Sequence, residues 1–180
     1  GQQFLVSPVW SPDSTQIAYV SEENGTTNVW TVAADGNSEP VAVTSNIGRI
    51  RSPRWSPDGS RLVFVAQTSE GRLGIFLYVP ESAMPPKKIL SGGPIYCTWA
   101  LDSTSILVHS FHQHYLIDLT NTREIREFPG SSTLYMTPSW NAEDGRATIF
   151  VDSDNNKQKL LILGLRDPEI RVVLETPGIS

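Results

Sequence analysis

The sequence is short of sulfur, of positive charge and of long apolar runs, and each shortage excludes something. Cys97 is the single cysteine in 180 residues, so no disulfide can form within the chain and the redox compartment stays open. It stands inside a β-prone run and is read as a small buried hydrophobe rather than a reactive thiol. Fourteen Lys and Arg face nineteen Asp and Glu, a net charge of −5. That balance lacks the basic footprint of nucleic-acid binding and disfavours attraction to an anionic membrane. Apolar runs such as Leu160-Leu161-Ile162-Leu163 are strand-sized, far below the roughly 18 residues of a membrane-spanning helix. No signal peptide is visible, but Gly1-Gln2-Gln3 is not a natural start, so a removed leader or a neighbouring domain stays open. Catalytic signatures are missing as well. There is no Gly-x-Ser-x-Gly elbow, no His-Glu-x-x-His helix, no phosphate-cradling glycine loop and no Cys–His pairing with a local signature. Nor does any segment hold an i, i+3, i+4 apolar pattern long enough for a helix.

What is present is a repeat. Trp55-Ser56-Pro57-Asp58-Gly59 is followed by the apolar run Leu62-Val63-Phe64-Val65. Pro57 presets φ for a turn, Asp58 can bond its own backbone, and Gly59 tolerates positive φ, so the unit reads strand, tight turn, strand. Related units are Trp10-Ser11-Pro12-Asp13-Ser14, Trp99-Ala100-Leu101-Asp102-Ser103 and Trp140-Asn141-Ala142-Glu143-Asp144-Gly145, each followed by another apolar run. The tryptophans are spaced by 45, 44 and 41 residues. A period in this range with four strands per unit predicts β-propeller blades. Thirteen glycines and thirteen prolines suit many short strands joined by turns.

The motif carries a resemblance to a known family. Ser7-Pro8-Val9-Trp10-Ser11-Pro12-Asp13 and Ser52-Pro53-Arg54-Trp55-Ser56-Pro57-Asp58-Gly59 resemble the TolB-like (WD-like) propeller repeat. That repeat also occurs in propeller domains of prolyl-oligopeptidase-type serine peptidases, in tricorn-like proteases and in oligogalacturonate lyases. The third copy has lost both prolines and the glycine, and the fourth keeps Pro138-Ser139-Trp140 and Asp144-Gly145. The resemblance covers essentially the whole chain and speaks for fold far more than for activity.

The expected fold is therefore all-β, one domain over 1–180, with four blades of four antiparallel strands at about 4–43, 50–90, 95–128 and 135–174. Asn24-Gly25 and Asp35-Gly36 are the hairpin turns of blade one. Each recurring tryptophan is expected to fill the space between neighbouring sheets, and each turn Asp to bond the amides beside it. TolB-like propellers usually carry six or more blades, so a part of a larger propeller is preferred over a closed ring of four. Missing blades or a homodimer would then cover the open edges of blades one and four.

In a propeller the D–A and B–C loops share one end and the channel mouth. The expected partner-binding residues there are Arg49, Arg51, Tyr96, His112 and Tyr135, arginine and tyrosine being favoured at binding surfaces. All three histidines, His109, His112 and His114, fall in one hairpin. They are read as a polar hairpin, with zinc or a similar divalent ion as the competing reading, for which a third ligand is wanted. Asp152-Ser153-Asp154-Asn155-Asn156 places oxygen groups at alternating positions, loosely like a calcium loop, but lacks its glycine and its distal glutamate. Asp152 and Asp154 are thus weak metal candidates, and no cofactor is expected. Asn24-Gly25-Thr26 matches a glycosylation acceptor but reads as a hairpin turn.

The resemblance implies a non-catalytic, extracytoplasmic bacterial scaffold in the periplasm or cell envelope that binds a protein or peptide. Its alternatives are the gating propeller of a prolyl-oligopeptidase-type peptidase and, behind that, a metal-dependent oligosaccharide lyase.

Overall fold

The computed structural model describes residues 3–45, 47–68, 71–82, 84–93, 95–110, 113–120, 125–129, 139–141, 143, 145–153, 157–164 and 170–175. Among them sixteen strands form four antiparallel sheets of four, each laid out in chain order. The first holds β1 (Gln3–Trp10), β2 (Gln16–Glu23), β3 (Thr26–Ala33) and β4 (Val41–Ala42). The second holds β5 (Arg49–Trp55), β6 (Leu62–Gln67), β7 (Leu73–Tyr78) and β8 (Lys87–Gly92). The third holds β9 (Ile95–Trp99), β10 (Ser105–Ser110), β11 (Gln113–Asp118) and β12 (Ile125–Pro129). The fourth holds β13 (Ser139–Trp140), β14 (Arg146–Ser153), β15 (Lys157–Gly164) and β16 (Ile170–Glu175). The four-by-four all-β reading stands. Expected strand residues 135–138 lie outside the described residues, and the expected β4 at 40–43 shrinks to two residues. A single 3-10 turn, Pro80–Ser82, joins β7 to β8 where only a loop was expected.

The turn of the repeat is built the same way each time. The amide after the tryptophan donates to the carbonyl five residues on, at 2.8 Å, from Ser11, Ser56, Ala100 and Asn141 alike. The left-handed position inside the turn is taken by Ser14, Gly59, Ser103 and Gly145. Asp13, Asp58 and Asp102 accept from the amides of Thr15, Ser60 and Thr104 at 3.1, 3.0 and 2.9 Å. The fourth copy adds a bond from another residue. There Asn141 Oδ1 accepts from the Glu143 amide at 2.8 Å, and Asp144 lies outside the described residues.

The Ser-Pro pairs are not plain strand. The β1–β2 register shifts between Val6 and Val9, and the β5–β6 register between Arg51 and Arg54. Ser7 and Ser52 sit at φ of 54° and 55° in these gaps. Proline has no N–H to give a ladder and is tolerated at such bulges, which accounts for Pro8 and Pro53. The third copy has neither proline, and its β9–β10 ladder runs without a shift.

The chain divides into two compact units, 1–93 and 94–180. In the first, Ala18, Val20 and Val29 pack with Ile50, Trp55, Leu62, Phe64, Ala66 and Phe76. The Phe64 and Phe76 rings stack at 5.7 Å and 4°, worth about 0.5–1.5 kcal/mol beyond their burial. In the second, Leu107 and Leu116 pack with Ala147, Ile149, Leu161 and Leu163. Cys97 is a buried free thiol.

The other face of the first sheet is apolar and half-buried, with Trp10 exposed. Register puts Trp10 beside Ile17, Ile17 beside Val32, and Tyr19 beside Trp30, alternating with the core positions. Trp10 is 59% exposed, against 9% for Trp55 and 6% for Trp99. This corrects the expectation that every repeat tryptophan fills a space between sheets. Trp55 and the half-buried Trp140 pack between sheets in this way, Trp99 is buried, and Trp10 is neither.

Candidate functional site

One of the loops expected to bind a partner, the link between the first two sheets, is anchored by one hydroxyl. Thr27 Oγ1, at the start of β3, donates to the Gly48 carbonyl at 2.9 Å and accepts from the Ile50 amide at 2.6 Å. This clips the link between the first two sheets onto the first sheet's B–C end. Gly48 is required there. Its φ is +127°, and a Cβ would stand 1.8 Å from the Gln67 carbonyl oxygen. Ile50 is buried, so its neighbours Arg49 and Arg51 are held on the opposite side of β5, both exposed. They stand opposite Gln67 and Val65 of β6. The two arginines therefore form one short basic rank on a fixed backbone. Sequence reading found the arginines but not the clip, because a threonine at a strand start carries no distinguishing signal.

In the second unit, Tyr96, His109 and His114 form one row across β9, β10 and β11, by the pairs Tyr96–His109 and His109–His114. Tyr96 is half-buried, and the two histidines are 5% and 2% exposed. Their rings stack with centroids 4.6 Å apart and planes 18° from parallel. An imidazole binds a metal in its ring plane at about 2.0–2.1 Å. In this stacked arrangement an ion in the plane of one ring lies off the plane of the other. Among the described residues no group of three or more His, Cys, Asp or Glu is placed to hold a metal ion. His112, Tyr135 and Asp154 lie outside the described residues.

The sequence pattern places Asp152 at the start of an acidic loop. It lies instead within β14 opposite Gln158, and the ladder continues through Ser153–Lys157. Arg49 and Arg51 belong to the first unit, and Tyr96 with its histidine row belongs to the second.

With this geometry the comparisons with known proteins agree. A family model for the TolB beta propeller domain matches residues 1–178. The chain belongs to that family. No curated protein matches it. Among solved structures it is similar to TolB from Acinetobacter baumannii, at 21% identity and a TM-score of 0.67, covering 97% of this chain and 44% of that one. It is also similar to the β-propeller domain of the Trilobed protease from Pyrococcus furiosus, at 17% identity and a TM-score of 0.70, covering 97% and 58%. A third is an oligogalacturonate lyase in complex with manganese, at 17% identity and a TM-score of 0.65, covering 91% and 49%. These likenesses establish the fold. The TolB-family chain spans about half the length of the solved relatives it matches. Among its described residues no helix is long and apolar enough to cross a membrane.

Proposed function

We propose that this TolB-type propeller chain is a non-catalytic scaffold that binds a protein or peptide through the loops at its D–A and B–C end. The observation that carries the reading is the pair Arg49 and Arg51, exposed side by side on a strand whose entry is clipped by Thr27 and fixed by Gly48. A fixed backbone spares the main-chain ordering cost of binding, and arginine is enriched among residues that dominate interface energy. Tyr96, with His112 and Tyr135, is proposed as a separate partner-binding set on the second unit. An extracytoplasmic location in the cell envelope of a bacterium fits the likeness to TolB. The test is affinity purification from an envelope extract, followed by titration of the recovered partner against the native chain and against a variant carrying Arg49→Ala and Arg51→Ala. A loss of at least about tenfold, or 1.4 kcal/mol, supports this face. An unchanged affinity removes it.

Two other readings have support in the fold. Likeness to the propeller of a protease favours a gating domain of a serine peptidase, and a hydrolase domain encoded in the same gene would decide for it. Likeness to a manganese-bound lyase favours a metal-dependent enzyme. Elemental analysis showing no stoichiometric divalent ion in the purified chain would remove that reading.

The apolar face of the first sheet that carries Trp10 is proposed to receive a second copy of the chain. Two copies would supply eight sheets, on the scale of relatives that are about twice as long.

A further inference from the structure

Within each unit the sheets meet in the same way. Side chains alternate across a strand, so every sheet has a face that carries its repeat tryptophan and an opposite face. In the first unit Trp55, Leu62, Phe64 and Phe76 of the second sheet pack on Ala18, Val20 and Val29 of the first. In the second unit Trp140, Ala147, Ile149, Leu161 and Leu163 of the fourth sheet pack on Leu107 and Leu116 of the third. Both times the tryptophan face of one sheet lies on the opposite face of the sheet before it.

Register shows that the first sheet carries the same tryptophan face with less of it covered. The pairs Trp10–Ile17, Ile17–Val32 and Tyr19–Trp30 repeat Trp55–Leu62, Leu62–Tyr78 and Phe64–Phe76 position for position. Leu62 and Phe64 are 0% exposed and Phe76 is 8% exposed. Ile17, Tyr19, Trp30 and Val32 are only half-buried, and Trp10 is 59% exposed.

The matching surface is the opposite face of the fourth sheet. Leu161 and Leu163 are packed towards the third sheet, so Leu160 and Ile162, which alternate with them on β15, lie on the other side. The β15–β16 ladder shifts register after Leu160, and Leu174 stands beside Leu160 on that side. Leu160 holds the register position that Val29 holds in the first sheet. Val29, packed with the second sheet, is 0% exposed, whereas Leu160 and Ile162 are half-buried and Leu174 is 56% exposed. Each chain therefore carries both halves of the contact that its sheets already make, one on the first sheet and one on the fourth.

We propose that the surface docking on the first sheet is the fourth sheet of a second copy, through Leu160, Ile162 and Leu174; this rests on the reading that a second copy covers the Trp10 face. The contact joins two different surfaces, and a pair of copies makes it twice, each giving its fourth sheet and receiving on its first. It repeats between copies the packing that each unit has within itself.

The test is molar mass in solution, by light scattering and sedimentation equilibrium, for the native chain, Trp10→Glu, Leu174→Glu and an equimolar mixture of the two variants. Thermal midpoints equal to the native value show that the variants fold, and Leu174→Gln replaces Leu174→Glu if that variant does not. The proposal expects a native dimer and, at the same concentration, a monomer for each variant. A variant alone has a glutamate in every contact, whereas the mixture can form one contact with both native faces. The mixture should therefore associate at least about tenfold more tightly than either variant alone. A Leu174→Glu chain that stays dimeric while Trp10→Glu is monomeric overturns the proposal and leaves the second-copy reading standing, with two first sheets facing each other. A mixture no tighter than its components likewise overturns it. A monomeric native chain overturns both readings, and further sheets of a longer polypeptide then become the cover.

Discussion

Ser56 Oγ donates to Asp58 Oδ1 at 2.6 Å, and the same oxygen accepts from the Arg61 amide at 3.0 Å. Ser11 repeats both bonds with Asp13 and Gln16, at 2.6 and 2.9 Å. The third repeat shows how the turn survives without the serine. Ala100 stands in its place, and Asp102 Oδ1 accepts directly from the Ser105 amide at 2.9 Å. Ser56→Ala should therefore relax towards that arrangement. The expected loss is about 1 kcal/mol, below the cost of about 3 kcal/mol at which a fully orphaned buried amide would be felt. Urea unfolding should show a lowered midpoint with an unchanged slope. A loss well above 2 kcal/mol would mean that Asp58 does not take over the amide.

The same turns set a direction for pH. For Asp13 the Ser11 hydroxyl, then Thr15, lowers the carboxyl pKa. For Asp58 burial works the other way, but bonds from Ser56 and Ser60 and the charge of Arg61 outweigh it, and the net pKa is again lowered. A carboxylate whose folded pKa lies below its unfolded value contributes stability that is complete above the unfolded value, near 3.9 for Asp. That contribution is lost as pH falls through the lowered folded values. Thermal midpoints should hold steady from pH 7 to about pH 5, then drop below about pH 4. Asp58→Asn should flatten the drop. A variant that kept the full slope would place the acid sensitivity elsewhere.

Gly48 is the position where a single methyl should do most damage outside the core. A Cβ there meets the Gln67 carbonyl carbon at 3.0 Å as well as its oxygen, both backbone atoms that cannot swing aside. Gly48→Ala should cost about 3 kcal/mol or more, combining left-handed strain with displacement of β6 from the link. It should also weaken any partner held by Arg49, since the clip from Thr27 fixes the same backbone. Hydrogen exchange at the Ile50 amide reports both effects, and protection equal to the native chain would refute this account of the link.

What could be read in advance follows from where the information lies. Trp55-Ser56-Pro57-Asp58-Gly59 is local chemistry, with each residue fit for its turn position, so turns, strands and blade count were legible. The Ser7-Pro8 and Ser52-Pro53 bulges were not legible, because β1 and β5 are edge strands and an edge strand can carry proline without a bulge. The exposure of Trp10 was not legible. The same motif buries Trp55 or leaves Trp10 bare according to which sheet comes next, and that is not written in the motif. The Thr27–Gly48 clip spans 21 residues and joins two ordinary residue types, so only coordinates could reveal it.

That bare tryptophan gives the last prediction. Trp10 lies in a row with Ile17 and Val32, next to the Tyr19–Trp30 pair, on a sheet face with Leu5 also exposed at 64%. Contiguous aromatic and aliphatic surface of this kind is rarely left to water, and burying it releases about 25 cal/mol for each Å². Light scattering on the purified chain should give twice the monomer mass of 19.9 kDa. Trp10→Glu puts an unpaired charge in the middle of the contact and should return the chain to monomer, with little change in the core it does not touch. A native chain that is already monomeric would exclude the second copy and point to further sheets of a longer polypeptide as the cover. A dimer untouched by Trp10→Glu would move the contact to another surface, with the apolar residues of β16, Val172 to Leu174, next in line for substitution.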